Sequence, residues 1–384
     1  MLDAEVVDDV AALGPVVASW DALAVANRLP MSAPAWTLAW WRHLAPAGAH
    51  LRVVLVRDGS ELVGVAPYFA ERAVLGRCDY RLIGSGIYHR IAPLALPGRE
   101  WEVAERVAAV LAAARPRPDL ITLEGVALAT PWRTLLREHW PGPLRARRYD
   151  TSVQSAPVVR LDAPSFEAWL SGQSSNFRSQ MRRSRRRFED EHGRARLATA
   201  ETLEADVKTF GRLHAGRWEG RGSSSIVRMG RPLLDALVEG GVQHLADGRF
   251  RLWTLEMDGE AISSQMFVAA GGEVAYWNGG WDERFAQLKP PMLAILYAVE
   301  DAFRRGDDRI DLGGGALHYK LRFANGTDAI SWGGVYTPGV RSPLARMTLA
   351  PTHARVAARG ALRRTLSEEQ LGRLKSLRGR RAGR

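Results

Sequence analysis

Residues 276–323 read YWNGGWDERFAQLKPPMLAILYAVEDAFRRGDDRIDLGGGALHYKLRF. An aromatic, strand-like start ends in Gly279-Gly280 and Asp282. Pro290 and Pro291 then open an apolar run of helical spacing that stops at Gly306. Prolines suit a first helical turn, because the amides they lack would be unpaired there anyway. A short strand at 309–311 leads into Gly313-Gly314-Gly315 and then Tyr319-Lys320. Three glycines after a strand have two readings: a tight turn, or backbone that passes close to a ligand.

Upstream, residues 250–282 predict three strands joined at Asp258-Gly259 and Gly271-Gly272. A similar unit occurs far earlier. Residues 51–72 alternate as two strands across Asp58-Gly59. A strand at 78–86, an amphipathic helix at 99–115, a strand at 119–126 and a helix at 130–140 follow. Before that hairpin, 32–45 predicts a helix with Ser32 as its cap and Trp36, Trp40 and Trp41 on one face, read as a buried aromatic stripe. The same order of elements recurs from about residue 155. The expectation is an α/β fold of mixed sheets flanked by helices, built from two copies of one module. The units run 1–152 and 153–340, followed by a basic tail, 341–384.

Composition bounds the rest. The chain has 384 residues, enough for two domains. Its single cysteine, Cys78, forbids an internal disulfide and a cysteine-rich zinc site, and no metal is expected. The net charge is +11, but the tail holds eleven Arg and one Lys against two Glu, so the first 340 residues are nearly neutral. That tail is helical in part; it caps the fold, lies on an anionic surface or is disordered, and its end, LRGRRAGR, reads as disordered. No apolar run approaches the ~18 residues of a membrane span, and the acidic start MLDAEVVDDV lacks the pattern of a signal peptide. A cytoplasmic location is expected.

The ordered set of stretches at 32–44, 55–69, 176–189, 213–218, 262–268 and 276–323 resembles the GNAT acyltransferase superfamily, in the branch with CelD-like and Fem-like proteins. The resemblance spans about residues 15–335 and implies two tandem GNAT-like domains, in agreement with the repeat. It implies an acyl donor, acetyl-CoA, lying between the strand before the donor helix and the strand after it. The Gly-rich phosphate loop of simple GNAT enzymes is absent; QLKPPM stands in its place. The first copy has GSGIYHRIAPLALPG there and is expected to shape the substrate cleft.

On that resemblance Gly313, Gly314 and Gly315 line the donor, and Tyr319 protonates the leaving thiolate. Lys320 orients a carboxylate or stabilises negative charge. Lys289, Pro290, Pro291 and Met292 form an anion site at the helix start, where free amides and the dipole favour negative charge; an ordinary helix start is the other reading. Asp282, Asp311, His214 and His318 are candidate bases, although Asp282 would equally cap a turn. Trp277 and Trp281, with Arg217 and Trp218 beside His214, wall an acceptor pocket or simply pack. Arg178, Arg182 and Arg185 or Arg186 share one helical stripe. It either attracts a phosphorylated ligand or is a solvated face paired with Glu189, Asp190 and Glu191. The expected activity is transfer of an acyl group, as acetyl, from acyl-CoA to an amine or hydroxyl of a small molecule or cell-envelope saccharide precursor. The alternatives are a Fem-like transfer from aminoacyl-tRNA, and a non-catalytic binding protein that uses its basic tail.

Overall fold

The computed structural model describes residues 2–218, 224–315 and 317–365. The strands are β1 (Asp3–Val7), β2 (His50–Asp58), β3 (Glu61–Arg72), β4 (Cys78–Leu82), β5 (Leu94–Ala95), β6 (Leu120–Ala127), β7 (Arg147–Arg160), β8 (Arg194–Leu197), β9 (Phe250–Met257), β10 (Glu260–Ala270), β11 (Glu273–Trp281), β12 (Arg309–Asp311) and β13 (Gly326–Tyr336). The helices are α1 (Val17–Ala26), α2 (Pro34–Leu44), α3 (Glu100–Ala113), α4 (Trp132–Glu138), α5 (Phe166–Ser171), α6 (Ser175–Asp190), α7 (Leu203–Trp218), α8 (Ser225–Met229), α9 (Arg231–Leu245), α10 (Pro290–Arg305), α11 (His318–Leu321) and α12 (Ser342–Thr365).

The strands form one sheet in the order β1-β2-β3-β4-β6-β13-β7-β12-β11-β10-β9-β8, with β5 alongside β3. The repeat is visible in it. In each half three antiparallel pairings are followed by one parallel pairing, β4 with β6 and β11 with β12. One helix connects each parallel pair, α3 in the first half and α10 in the second. Two of the predicted hairpin turns form as expected: Asp258 and Gly259 take φ of 51° and 76°, and Gly271 and Gly272 take 58° and 80°. Two successive positive φ values match the right-handed twist of the strands they join. The turn expected at Asp58-Gly59 lies one residue on, at Gly59-Ser60, because Asp58 pairs with Glu61.

β7 and β13 pair antiparallel from Gly326↔Val158 to Tyr336↔Arg147 at the centre of the sheet. β7 also pairs with β12, and β13 with β6. The expected boundary at 152–153 therefore falls inside one continuous strand. The halves also share a core. α2 of the first packs against α9 of the second, and Trp36 lies so close to Gly240 that a Cβ there would sit 2.5 Å from the indole. Trp36 and Trp40 are buried, as the stripe predicted.

One further expectation is corrected. Ser32 does not cap α2; Ala33 holds that position, and the Ser32 hydroxyl accepts from the Ala92 N–H at 3.1 Å. Of the readings open for the tail, its start takes the one that caps the fold. Ala345 of α12 is buried against Leu120, Tyr149 and Tyr336, and Arg77 hydrogen-bonds the Thr348 hydroxyl. Residues 366–384, including the basic terminus, lie outside the described residues. Among the described residues no helix is long and apolar enough to cross a membrane.

Candidate active site

β11 and β12 pair over three positions, Glu273↔Arg309, Val274↔Ile310 and Ala275↔Asp311. There the ladder ends. β11 continues to Trp281 along β10, while the chain beyond Asp311 turns away into the three glycines. Gly313 takes φ of +75°, and its N–H donates to Asp311 Oδ1 at 2.9 Å. The Gly315 N–H donates to the Ser155 carbonyl of β7 at 2.9 Å. Gly313 is thus a genuine turn residue, which a side chain would strain. Gly315, at φ +92°, has open space where a Cβ would be.

The turn delivers α11 to the mouth of this divergence. Lys320 is buried, and its Nζ donates to the Gly314 carbonyl at 3.2 Å and lies 5.6 Å from the Tyr276 ring centroid. Burial, with the Arg217 guanidinium nearby, lowers its pKa to about 8 against the pull of Asp311. Tyr276 is buried and donates its hydroxyl to Gln265 Oε1 at 2.8 Å. Tyr319 stands beside Tyr276, its pKa raised by burial, so its phenol keeps its proton at neutral pH. Tyr319, Lys320, Asp311 and Arg217 are therefore brought together.

Gly279 and Gly280 explain how α7 reaches the site. A Cβ on Gly280 would stand 2.2 Å from the His214 backbone nitrogen, so only glycine lets the helix cross β11 this closely. His214 is buried; its Nδ1–H donates to the Gly279 carbonyl at 3.0 Å, leaving Nε2 to accept from the Ser224 hydroxyl at 2.8 Å. Burial lowers its pKa, which keeps it neutral. Both nitrogens are engaged, so it works as a clamp between α7 and β11. Trp277 donates its indole N–H to the Ile87 carbonyl at 3.1 Å and packs on Phe210 and Tyr88, at the seam between halves. Trp218 lies next to His214, and Trp281 is half-buried at the end of β11.

Asp282 accepts from the Arg284 backbone N–H and guanidinium, each at 2.9 Å, and that partner lowers its pKa. It is a cap and ion pair. Asp311 is buried, ion-paired with Arg90 and bonded to the Gly313 N–H. His318 is exposed at the start of α11.

The helix-start anion site is corrected in one respect. Pro290 and Pro291 carry no N–H, and those of Met292 and Leu293 both donate to the Lys289 carbonyl, at 2.9 and 3.1 Å. No free amide remains in that turn. Side chains supply the positive charge instead. Burial and the nearby Arg322 lower the Lys289 pKa. Arg322 lies over Phe177 of α6 and bonds Gln180. On the exposed side of α6, away from buried Phe177, residues Ser175, Arg178, Ser179, Arg182, Arg183 and Arg186 line a polar groove of about 510 Å³. Arg185 pairs with Glu189 and Glu300, Arg187 with Glu191, and Arg178 bonds the Ser171 and Gln173 carbonyls. Arg182, Arg183 and Arg186 have no carboxylate partner among the described residues.

The first half's equivalent divergence is closed. β4 and β6 pair only over Asp79–Arg81 with 120–122, and the loop at 83–93 fills the gap, the Arg90 N–H donating to the Gly125 carbonyl at 2.5 Å. Arg90 then crosses to Asp311 and Asp328 of the second half. Neither Arg90 nor its neighbour His89 was singled out from sequence. The available signal was their place in GSGIYHRIAP, where the repeat sets a donor loop.

Residues 175–321 match the sequence model of the acetyltransferase (GNAT) domain. No curated protein matches the chain. Among solved structures it is similar to FemX, with 13% identity, a TM-score of 0.60, and coverage of 87% of this chain and 98% of that one. It is also similar to the C-terminal domain of a putative lysylphosphatidylglycerol synthetase from Agrobacterium fabrum, with 10% identity, a TM-score of 0.53, and coverage of 87% and 96%. At these identities the likeness is one of fold. Residues 175–321 therefore match a GNAT-domain model, within a fold of two like units similar to that of FemX.

Proposed function

We propose that the protein is an acyltransferase that moves an acyl group, as acetyl, from acyl-CoA to an amine or hydroxyl of a small molecule or cell-envelope saccharide precursor. The observation that carries this reading is the divergence of β11 from β12 after three paired residues, with Gly314, Gly315, Tyr319 and Lys320 at its mouth. The thioester arm lies in that divergence, bonded to exposed strand backbone. Lys289, Arg322 and the free arginines of α6 face its phosphates. Direct attack on the thioester needs no covalent enzyme intermediate, and binding serves chiefly to align the two reactants. Tyr319 gives its proton to the departing thiolate. Lys320, buried and without a bonded carboxylate, steadies the negative charge that develops on the carbonyl oxygen.

Calorimetry with acetyl-CoA tests the reading, comparing the intact chain with Gly314→Val. A Cβ at Gly314 would meet the Gln154 Oε1 tip at 3.1 Å and Ile330 Cδ1 at 3.8 Å, both ends of side chains that can give way, so the variant should keep its fold. Binding that valine abolishes supports the reading; absence of binding by the intact chain overturns it. Tyr319→Phe should lower turnover on the order of 10²-fold with unchanged donor affinity. A second reading, transfer of an aminoacyl group from tRNA, is favoured by the α6 groove with its unpaired arginines. Binding of tRNA with affinity that falls steeply with salt, in place of acetyl-CoA, would select it.

A further inference from the structure

We propose that His89, carried by the first half, takes the proton that the acceptor's nucleophile loses at the second half's site. The inference rests on the acyl-transfer reading and supplies its base.

The loop at 83–93 is rigidly placed. Tyr88 is buried, with its ring edge-on to Trp277. Arg90 is held at φ +58°, a conformation unfavourable for a side-chain-bearing residue. Its N–H bonds Gly125 and its guanidinium pairs with Asp311 and Asp328. Such strain persists only where surrounding contacts over-determine it. Gly125, at φ +70°, leaves room for the imidazole; a Cβ there would lie 3.1 Å from His89 Nδ1.

His89 between these anchors is exposed by surface area, yet protein surrounds it closely enough to desolvate it. Its neighbours place it at the end of the β11–β12 ladder: Tyr88 meets Trp277 of β11, and Arg90 pairs with Asp311 of β12. Its ring meets Trp332 of β13 edge-on at 5.8 Å. The charged groups around it are Asp311 on β12, Lys320 on α11, the adjoining Arg90, and Asp328 on β13, which pairs with Arg90. No hydrogen bond to its side chain occurs among the described residues. This sets it apart from three of the other candidates: His214 uses both nitrogens, Asp282 is held by Arg284, and Asp311 is held by Arg90 and the Gly313 N–H. His318 is exposed at the start of α11 and lacks the flanking anchors that fix His89.

Desolvation, with Lys320 nearby and against the pull of Asp311, lowers the imidazole pKa, so its free nitrogen is ready to accept at pH 7. The acceptor amine or hydroxyl adds to the thioester carbonyl carbon, forming C–N or C–O as C–S breaks. The nucleophile's proton goes to His89, and the thiolate receives one from Tyr319. One proton leaves the acceptor and one reaches the leaving group, with no redox change.

The test treats the full chain with diethyl pyrocarbonate, which acylates neutral, accessible imidazoles, with and without acetyl-CoA, and reads each histidine by mass spectrometry. Calorimetry on the same samples reports acetyl-CoA binding. The expected result is modification of His89 that acetyl-CoA slows at least several-fold. With acetyl-CoA and a panel of aminosugars, polyamines and amino acids, His89→Gln should lower kcat on the order of 10²-fold or more. The acid limb of the wild-type pH profile, which should lie below the range of an ordinary imidazole, should vanish in this variant, with acetyl-CoA affinity and melting temperature unchanged. Acetyl-CoA binding without protection of His89, or an unaltered pH profile in His89→Gln, overturns the role of His89 and leaves the acyl-transfer reading standing. No acetyl-CoA binding overturns both.

Discussion

Arg90 in the first half and Asp311 in the second form a buried ion pair across the seam of the molecule, with side-chain exposures of 12% and 4%. The same guanidinium reaches Asp328, and Asp328 also pairs with Arg309 at 2.6 Å. Truncating one member of such a pair leaves the other charge buried, which costs far more than losing a surface bridge. Arg90→Ala should destabilise the protein by about 3 kcal/mol or more. Urea unfolding is the measurement, and a loss below about 1 kcal/mol would contradict the burial described here.

Gly280→Ala should be among the worst-tolerated small substitutions in the chain. Its Cβ would meet Leu213 and His214 backbone at 2.4 and 2.2 Å, and backbone cannot rotate away. Overpacking of this kind costs about 1–3 kcal/mol or more. Gly315→Ala meets open space and should cost only about 1 kcal/mol, from its positive φ. Melting temperatures of the two variants decide the order.

Glu273 should make the fold less stable at alkaline pH. Burial pushes its pKa up to about 7, against the pull of Arg309. A carboxyl with a raised folded-state pKa binds its proton more tightly in the native state than in the unfolded chain. The stability it contributes is therefore full below its unfolded value near 4.5 and is lost as pH rises through about 7. Urea midpoints from pH 5 to 8 should fall in the wild type by more than in Glu273→Gln. Parallel curves would refute the assignment.

A chain cut after Arg341 should lose stability, whereas one cut after Thr365 should keep it. The first removes Ala345, which closes the cluster of Leu120, Tyr149 and Tyr336. It also removes Thr348, the partner of Arg77. Exposing that patch should cost about 2 kcal/mol. Equal melting temperatures for the two truncations would show that α12 only rests on the sheet.

Where periodicity and turn chemistry carried information, the fold was readable. Asp258-Gly259 and Gly271-Gly272 announced their hairpins, and Pro290 opened α10 as its ring geometry requires. β7 was only half visible, because RRYDTSVQS has no apolar alternation; pairing with β13 along its length makes it a strand. At the site, Tyr319, Lys320 and Asp311 lie within one short stretch and were legible together. His89 and Arg90 were not, since they lie more than two hundred residues away and only the folded sheet brings them near. The amides expected at the α10 start were missed for a local reason: Lys289 adopts φ of 54°, which turns its carbonyl onto them.

The crossing of β7 and β13 carries a consequence for how such a chain is made. Each unit's final strand completes the other unit's sheet, β7 beside β12 and β13 beside β6. This is a domain swap written into one polypeptide. Neither unit can satisfy its own sheet edge alone, and a half expressed by itself would offer an unpaired edge to its copies. The second strand of the exchange is synthesised about 180 residues after the first. The first half must therefore wait, with β6 uncovered, until the chain is nearly finished.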